Sequence, residues 1–108
     1  MGNAMLLDLF TGRDINKGVA EWKNTKGAVL LDVRTKEEYA DYHIRGSVNI
    51  PLDRLDTIHG SIPDKTTPLF VHCLSGGRSA SAAAYLKRNG YSRVYDIGGI
   101  RSYRGETV

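Results

Sequence analysis

The chain has 108 residues, of which 41% are hydrophobic and 25% charged. This length and composition predict one globular domain that is large enough to bury a core. The net charge is +3, and the basic residues are spread along the chain in runs of at most two, so we expect no binding to nucleic acid. No apolar run approaches the roughly 20 residues of a membrane span, so we expect no membrane partner either.

The ends and the cysteine count add three expectations. Residues 1–4 precede a second methionine, Met5, and resemble a remnant of cloning, so we place the domain at residues 5–108. The apolar stretch that begins at Met5 is interrupted at Asp8 and is too short for an export signal, so we expect a cytoplasmic protein. We also expect a monomer. One cysteine cannot form an internal disulfide, and no Cys and His cluster has zinc spacing, so we expect no metal and no cofactor.

Helix and strand patterns alternate through the first half of the chain. Asp14 can cap a helix whose apolar positions are 15, 19 and 22. Residues 28–33 are a continuous apolar run with one acid, typical of a strand that is buried on both faces. Thr35 and Glu38 have capping-box spacing, which predicts a short helix. A short strand at 47–50 and another short helix between Leu52 and Gly60 follow.

The second half continues the same alternation. After a turn-rich connection at 62–68, the pattern predicts a strand at 69–72, a helix at 79–89 and a last strand at 94–97. Such an order favours an α/β fold with a central parallel sheet and helices on both faces. Ligands of these sheets bind at the carboxyl ends of the strands, and Cys73 lies at one of those ends.

Cys73 is followed by a glycine-containing loop and then by a helix. Backbone N–H groups of such a loop, together with the positive end of the helix, stabilise an anion. The anion that reacts as a nucleophile is the thiolate, so we predict Cys73 as the catalytic residue. Gly76 and Gly77 permit positive φ and the close approach of an anion, and we expect Arg78 to pair with an anionic substrate. Ser79 is either a hydrogen-bond donor in the site or a helix cap.

Other polar residues near the predicted strand ends are assigned structural roles. His72 should point to the opposite face of its strand from Cys73, so it should not act as the base for the thiol. Asp32, Arg34 and Glu38 resemble a structural cluster in which Arg34 lies near Glu38. We expect the remaining histidines, His43 and His59, to lie in loops.

Four motifs occur in order along residues 14–108: LDVR with EY at 31–34 and 38–39, HIRGSVNIP at 43–51, CLSGGRS at 73–79, and GGI at 98–100. Together they resemble the single-domain rhodaneses, a family of sulfurtransferases. Two positions depart from the family pattern: Tyr103 stands where many members have tryptophan, and Thr107 where many have proline. Both lie outside the cysteine loop, so they bear on packing rather than on chemistry.

The resemblance implies a rhodanese-like domain in which Cys73 carries a persulfide. It also implies that a small anionic sulfur donor such as thiosulfate is bound by the loop residues Leu74, Ser75, Gly76, Gly77, Arg78 and Ser79. An external thiol or protein must then accept the sulfur, since the chain has no second cysteine to resolve the persulfide.

Two rival functions remain open at this point. Phosphatases and arsenate reductases of the same fold use a loop that is one residue longer, with six positions from Cys to Arg. Here five positions separate Cys73 from Arg78, which favours a smaller group such as a sulfane sulfur. A non-catalytic binding module in sulfur trafficking is the second rival, although such modules commonly lose the cysteine.

Overall fold

The computed structural model describes residues 13–108. Within these residues, four strands form a parallel sheet in the order β2-β1-β3-β4: β1 (Val29–Asp32), β2 (Val48–Asn49), β3 (Leu69–Cys73) and β4 (Val94–Gly99). Four α-helices of the described part connect and flank them: α1 (Ile15–Asn24), α2 (Lys36–Asp41), α3 (Ile58–Ser61) and α4 (Gly77–Arg88). Short 3₁₀ helices cover Leu52–Thr57 and Ile100–Ser102. The predicted α/β fold is confirmed.

Local sequence signals explain where the first two helices begin. The Asp14 carboxylate accepts hydrogen bonds from the backbone N–H groups of Asn16 and Lys17, as predicted for a helix cap. The capping box is also present: Glu38 N–H donates to Thr35 Oγ1 at 3.1 Å, and Thr35 N–H donates to Glu38 Oε1 at 2.9 Å.

The sheet has a hydrophobic core on each face. Every residue of β3 is fully buried, as expected for a central parallel strand. Alternate residues of β3 point to opposite faces, so Val71 and Cys73 pack in the cluster that includes Leu86 of α4. Phe70 packs in the other cluster, against Ile15 of α1 and its neighbours. Helices therefore cover both faces of the sheet.

The pairing between β3 and β4 contains an irregularity close to the cysteine. Val71 pairs with Asp96, but the next residue, His72, pairs with Gly98, so Ile97 is an extra residue in β4. Such bulges re-aim side chains and are common beside active sites. Here the shift places Gly99 directly opposite Cys73.

Several element boundaries differ from those predicted, most clearly at α4, β4 and β2. Helix α4 begins at Gly77 rather than Ser79, because the chain turns sharply at Gly76 and enters the helix at once. Strand β4 continues through Gly98 and Gly99 instead of ending at 97, since both glycines keep their pairing with β3. Strand β2 has only two residues, Val48–Asn49.

The expectations for the start of the chain concern residues before Arg13. The suggested remnant at residues 1–4, and the proposed start of the domain at residue 5, lie outside the described residues. Within residues 13–108, no helix combines the length and the apolar character needed to cross a bilayer.

Candidate active site

The sulfur of Cys73 lies where β3 ends and α4 begins, and backbone N–H groups point at it. The N–H of Gly76 donates to Sγ at 3.0 Å and the N–H of Ser79 donates at 3.3 Å. These groups are available because the first N–H groups of a helix have no partner within the helix. They form a small cradle that favours negative charge on the sulfur.

The cradle affects the acidity of the thiol. Burial of Cys73 disfavours the thiolate and raises its pKa. The Ser79 hydroxyl, when it turns toward the thiolate, and the N–H groups of Ser79, Gly76 and Ser75 donate hydrogen bonds that oppose burial and exceed it. The pKa of Cys73 therefore lies below its ordinary value, without a neighbouring base.

Gly76 makes the loop possible because its backbone has φ +115°, a conformation that residues with a side chain rarely adopt. Its carbonyl accepts a hydrogen bond from the Arg13 guanidinium, and a Cβ at this position would collide with that group. Gly77 does not use this freedom, because it is already the first residue of α4.

Strand β4 supports the loop from the other side. A Cβ at Gly99 would overlap the backbone of Leu74 and Ser75, so the absence of a side chain lets the strand approach closely. The Leu74 carbonyl accepts a hydrogen bond from the Arg101 N–H at 3.0 Å, and the Leu74 side chain packs against the α1-side core.

Arg78 is held by an ion pair that the sequence analysis did not anticipate. Its guanidinium donates to both carboxylate oxygens of Glu38, at 2.6 and 2.9 Å. Hydrogen bonds from Arg78, which exceed the effect of burial, lower the pKa of Glu38 to about 2, and the Thr35 cap contributes in the same direction. The pair joins the cysteine loop to α2.

The expected tie between Arg34 and Glu38 is not formed, because Glu38 binds Arg78. Arg34 is buried and binds Asp32 instead, with Nη2 2.8 Å from Oδ2. Its Nη2 also donates to the Tyr42 carbonyl at 2.8 Å. Asp32 is only two residues before Arg34, at the end of the same strand, whereas Glu38 lies in the first turn of the following helix. The Arg34 side chain therefore turns back toward β1 and binds Asp32.

His72 lies on the face of β3 opposite Cys73, as predicted. Its Nε2 is 3.7 Å from Asp32 Oδ2, and its Nδ1 is 3.2 Å from the Cys73 carbonyl oxygen. Burial lowers the pKa of His72, and Asp32 only partly opposes this. These contacts give His72 a place in the Asp32 cluster rather than beside the thiol.

Two residues that the sequence analysis did not select, Asp96 and Arg13, also reach the site. Asp96 Oδ1 accepts a hydrogen bond from the Ser79 hydroxyl at 2.8 Å, and its Oδ2 lies 3.3 Å from Arg13 Nε. The sequence gives one weak signal for Asp96, an acid inside an apolar strand. For Arg13, which precedes α1, no sequence signal points to the site.

Comparison with known proteins identifies the family. A model of the rhodanese-like domain matches residues 16–106. The chain belongs to the rhodanese-like domain family. Thiosulfate sulfurtransferase PspE of Escherichia coli (strain K12) is 36% identical over 72 residues, which cover 66% of this chain and 69% of that protein. Thiosulfate sulfurtransferase GlpE of Ectopseudomonas mendocina (strain ymp) is 40% identical over 88 residues, covering 79% and 78%.

A solved structure agrees with this membership. A rhodanese with anions from E. coli superposes with a TM-score of 0.69 at 33% identity, covering 75% of this chain and 96% of that one. The TM-score and the coverage show that the two chains share one fold.

Proposed function

We propose that this rhodanese-like domain is a sulfurtransferase that moves a sulfane sulfur from thiosulfate or a related donor to a thiophilic acceptor. The observation that carries the proposal is the cradle of N–H groups from Gly76 and Ser79 at 3.0 and 3.3 Å from Cys73 Sγ. Those donors stabilise a thiolate and, one bond further out, the terminal sulfur of a persulfide, which is also an anion.

The reaction is a double displacement on one sulfur atom. The Cys73 thiolate attacks the outer sulfur of thiosulfate, the S–S bond of the donor breaks, and sulfite leaves with the bonding electron pair. An acceptor, cyanide in an assay or a thiol in a cell, then attacks the terminal sulfur of the persulfide. The Cys73–sulfur bond breaks in this second step, and the thiolate returns to its cradle.

We assign donor binding to Arg78 together with the loop residues. Glu38 uses two of the five N–H groups of the Arg78 guanidinium, which leaves others for the oxygens of an anionic donor. Arg78 also lines a cleft of about 280 Å³, whose other walls are Val33 and Thr35, just after β1, and the segment 51–53. Glu38 thus holds the guanidinium in position without consuming all of its donors.

Replacement of the nucleophile tests the assignment of Cys73. Cys73→Ser should abolish thiosulfate:cyanide sulfur transfer, because a hydroxyl is not ionised at ordinary pH and cannot carry a sulfane sulfur. The fold should survive, since the change conserves shape in a buried position. The measurement is sulfur transfer together with the circular dichroism spectrum; a folded variant with more than trace activity would show that another group is the nucleophile.

Removal of the loop cation tests the assignment of Arg78. Arg78→Ala should raise the KM for thiosulfate roughly 10- to 150-fold, because a charge-assisted pair with an anion contributes about 1.5–3 kcal/mol. Transfer from an uncharged organic persulfide should change less. Arg88→Ala, at the exposed end of the same helix, is the matched control. Equal losses with charged and uncharged donors would show that Arg78 shapes the loop instead of binding the substrate.

A further inference from the structure

The hydroxyl of Ser79 is surrounded by more acceptors than its one proton can satisfy. Its Oγ lies 2.8 Å from Asp96 Oδ1, 3.1 Å from the Gly76 carbonyl and 3.5 Å from Cys73 Sγ. A charged carboxylate at the shortest distance is the strongest of these acceptors. In the structure as described, the Ser79 proton therefore points to Asp96.

This orientation suits a neutral thiol and not a thiolate. With its proton directed at Asp96, Ser79 presents oxygen lone pairs to the sulfur, and these accept a hydrogen bond from the S–H group. When Cys73 ionises, its own proton leaves to water, and the Ser79 hydroxyl stabilises the sulfur anion only by rotating away from Asp96. The carboxylate and the sulfur anion thus compete for one hydrogen.

We propose that Asp96 is a positioning residue that controls, through the Ser79 hydroxyl, how readily Cys73 loses its proton. The consequence for turnover rests on the proposed sulfurtransferase function, whereas the effect on ionisation does not. A thiol that is too acidic is a weaker nucleophile, and the most effective attacking thiol ionises near the ambient pH. Asp96 opposes the N–H cradle and so keeps Cys73 from becoming a stable, unreactive anion.

Arg13 acts in the opposite direction to Asp96. Its Nε lies 3.3 Å from Asp96 Oδ2, and its guanidinium also donates to the Gly76 carbonyl. The positive charge weakens the hold of Asp96 on the Ser79 proton and favours the nearby sulfur anion. The Gly98 N–H, which donates to Asp96 Oδ1 at 3.1 Å, fixes the carboxylate in place.

The other charged groups packed around Cys73 have partners of their own. Arg78, in the first turn of α4, binds Glu38 of α2. On the opposite face of β3, the buried Arg34 binds Asp32, and the neighbouring His72 lies beside the same carboxylate. Among the charged residues described, Asp96 and Arg13 are joined to the sulfur through Ser79.

Two substitutions with opposite expected effects test the proposal. The readout is the midpoint of thiolate formation, followed by ultraviolet absorbance across pH and corrected by subtracting the Cys73→Ser protein, which removes the tyrosine signal. Asp96→Asn should lower the midpoint by about half a unit to one unit, the equivalent of one hydrogen bond. Arg13→Gln, a change at a partly exposed side chain, should raise it. A loop that was merely loosened would move both midpoints upward.

Controls separate the route through Ser79 from a general effect of charge. Asp64→Asn removes a carboxylate that also binds a hydroxyl, that of Thr66, in an exposed turn, and should leave the midpoint unchanged. In a Ser79→Ala background, Asp96→Asn should lose more than half of its effect. These measurements use no sulfur donor, so they stand even if sulfur transfer fails. The proposal is overturned if Asp96→Asn leaves the midpoint of thiolate formation unchanged or raises it. It is also overturned if Asp96→Asn shifts the midpoint equally in the Ser79→Ala background. If Asp96→Asn does not fold, an unchanged or lowered midpoint in Arg13→Gln overturns the proposal.

Discussion

The Glu38 carboxylate contacts two helices, α2 at its first turn and α4 through Arg78. It completes the capping box of α2 through the Thr35 N–H, and it holds Arg78 beside the cysteine loop. Its pKa of about 2, against an ordinary value of 4.5, means that the folded state favours the charged form. The stability linked to this shift is present above about pH 4.5 and is lost as the pH falls toward 2.

Glu38→Gln should therefore lower the free energy of unfolding at neutral pH but not near pH 2. The amide can keep the capping box while the ionic half of the Arg78 contact is lost. For a partly exposed pair we expect a difference of about 0.5–1 kcal/mol. Urea unfolding from pH 7 to pH 2 measures it, with Glu37→Gln from the same turn as control. A difference that persisted at pH 2 would mean that the contribution is not ionic.

The element that creates the site is the unit of β3, its loop and α4. The strand places Cys73 at the carboxyl end of the sheet, Gly76 turns the chain, and the first turn of α4 directs N–H groups toward the sulfur. Two adjacent glycines have different roles in this unit. Gly76 has positive φ and lies against Arg13, whereas Gly77 is helical with open space around the position of a Cβ.

The two glycines should respond differently to alanine. Gly76→Ala should cost about 1–2 kcal/mol from its left-handed backbone alone, and it should reduce sulfur transfer because the cradle is displaced. Gly77→Ala should leave stability unchanged or slightly raised, since alanine favours helix over glycine. Urea unfolding of both variants provides the comparison. Equal destabilisation would show that the turn does not depend on the backbone of Gly76.

At the scale of the whole molecule, the sequence predicted the order of elements and the loop but not the polar network around it. Apolar runs and helix caps are local signals, and those at Asp14 and Thr35 were sufficient to predict the starts of α1 and α2. The contacts of Arg78 with Glu38 and of Ser79 with Asp96 span 40 and 17 residues. Such partners are decided by the packing of the sheet, so a local pattern does not specify them.

The bulge in β4 shows the same limit. The sequence predicted a last strand that ends at 97, but β4 continues to Gly99. Asp96 still pairs with Val71, and the register shift after this pair places Gly99 against the loop. The positions of these residues depend on how β4 pairs with β3. Membership of the rhodanese-like family, by contrast, was readable from motif order and spacing, and the same motifs predict a nucleophile at Cys73.

Sulfur transfer by this domain requires a persulfide on Cys73, which intact mass spectrometry of the protein detects. Incubation with thiosulfate should add the mass of one sulfur atom to the protein, and cyanide or dithiothreitol should remove it. The Cys73→Ser protein should remain unchanged under the same treatment. Because the chain has one cysteine, the added mass would locate the persulfide without further mapping. An unchanged mass of the native protein after exposure to several sulfane donors would contradict the account.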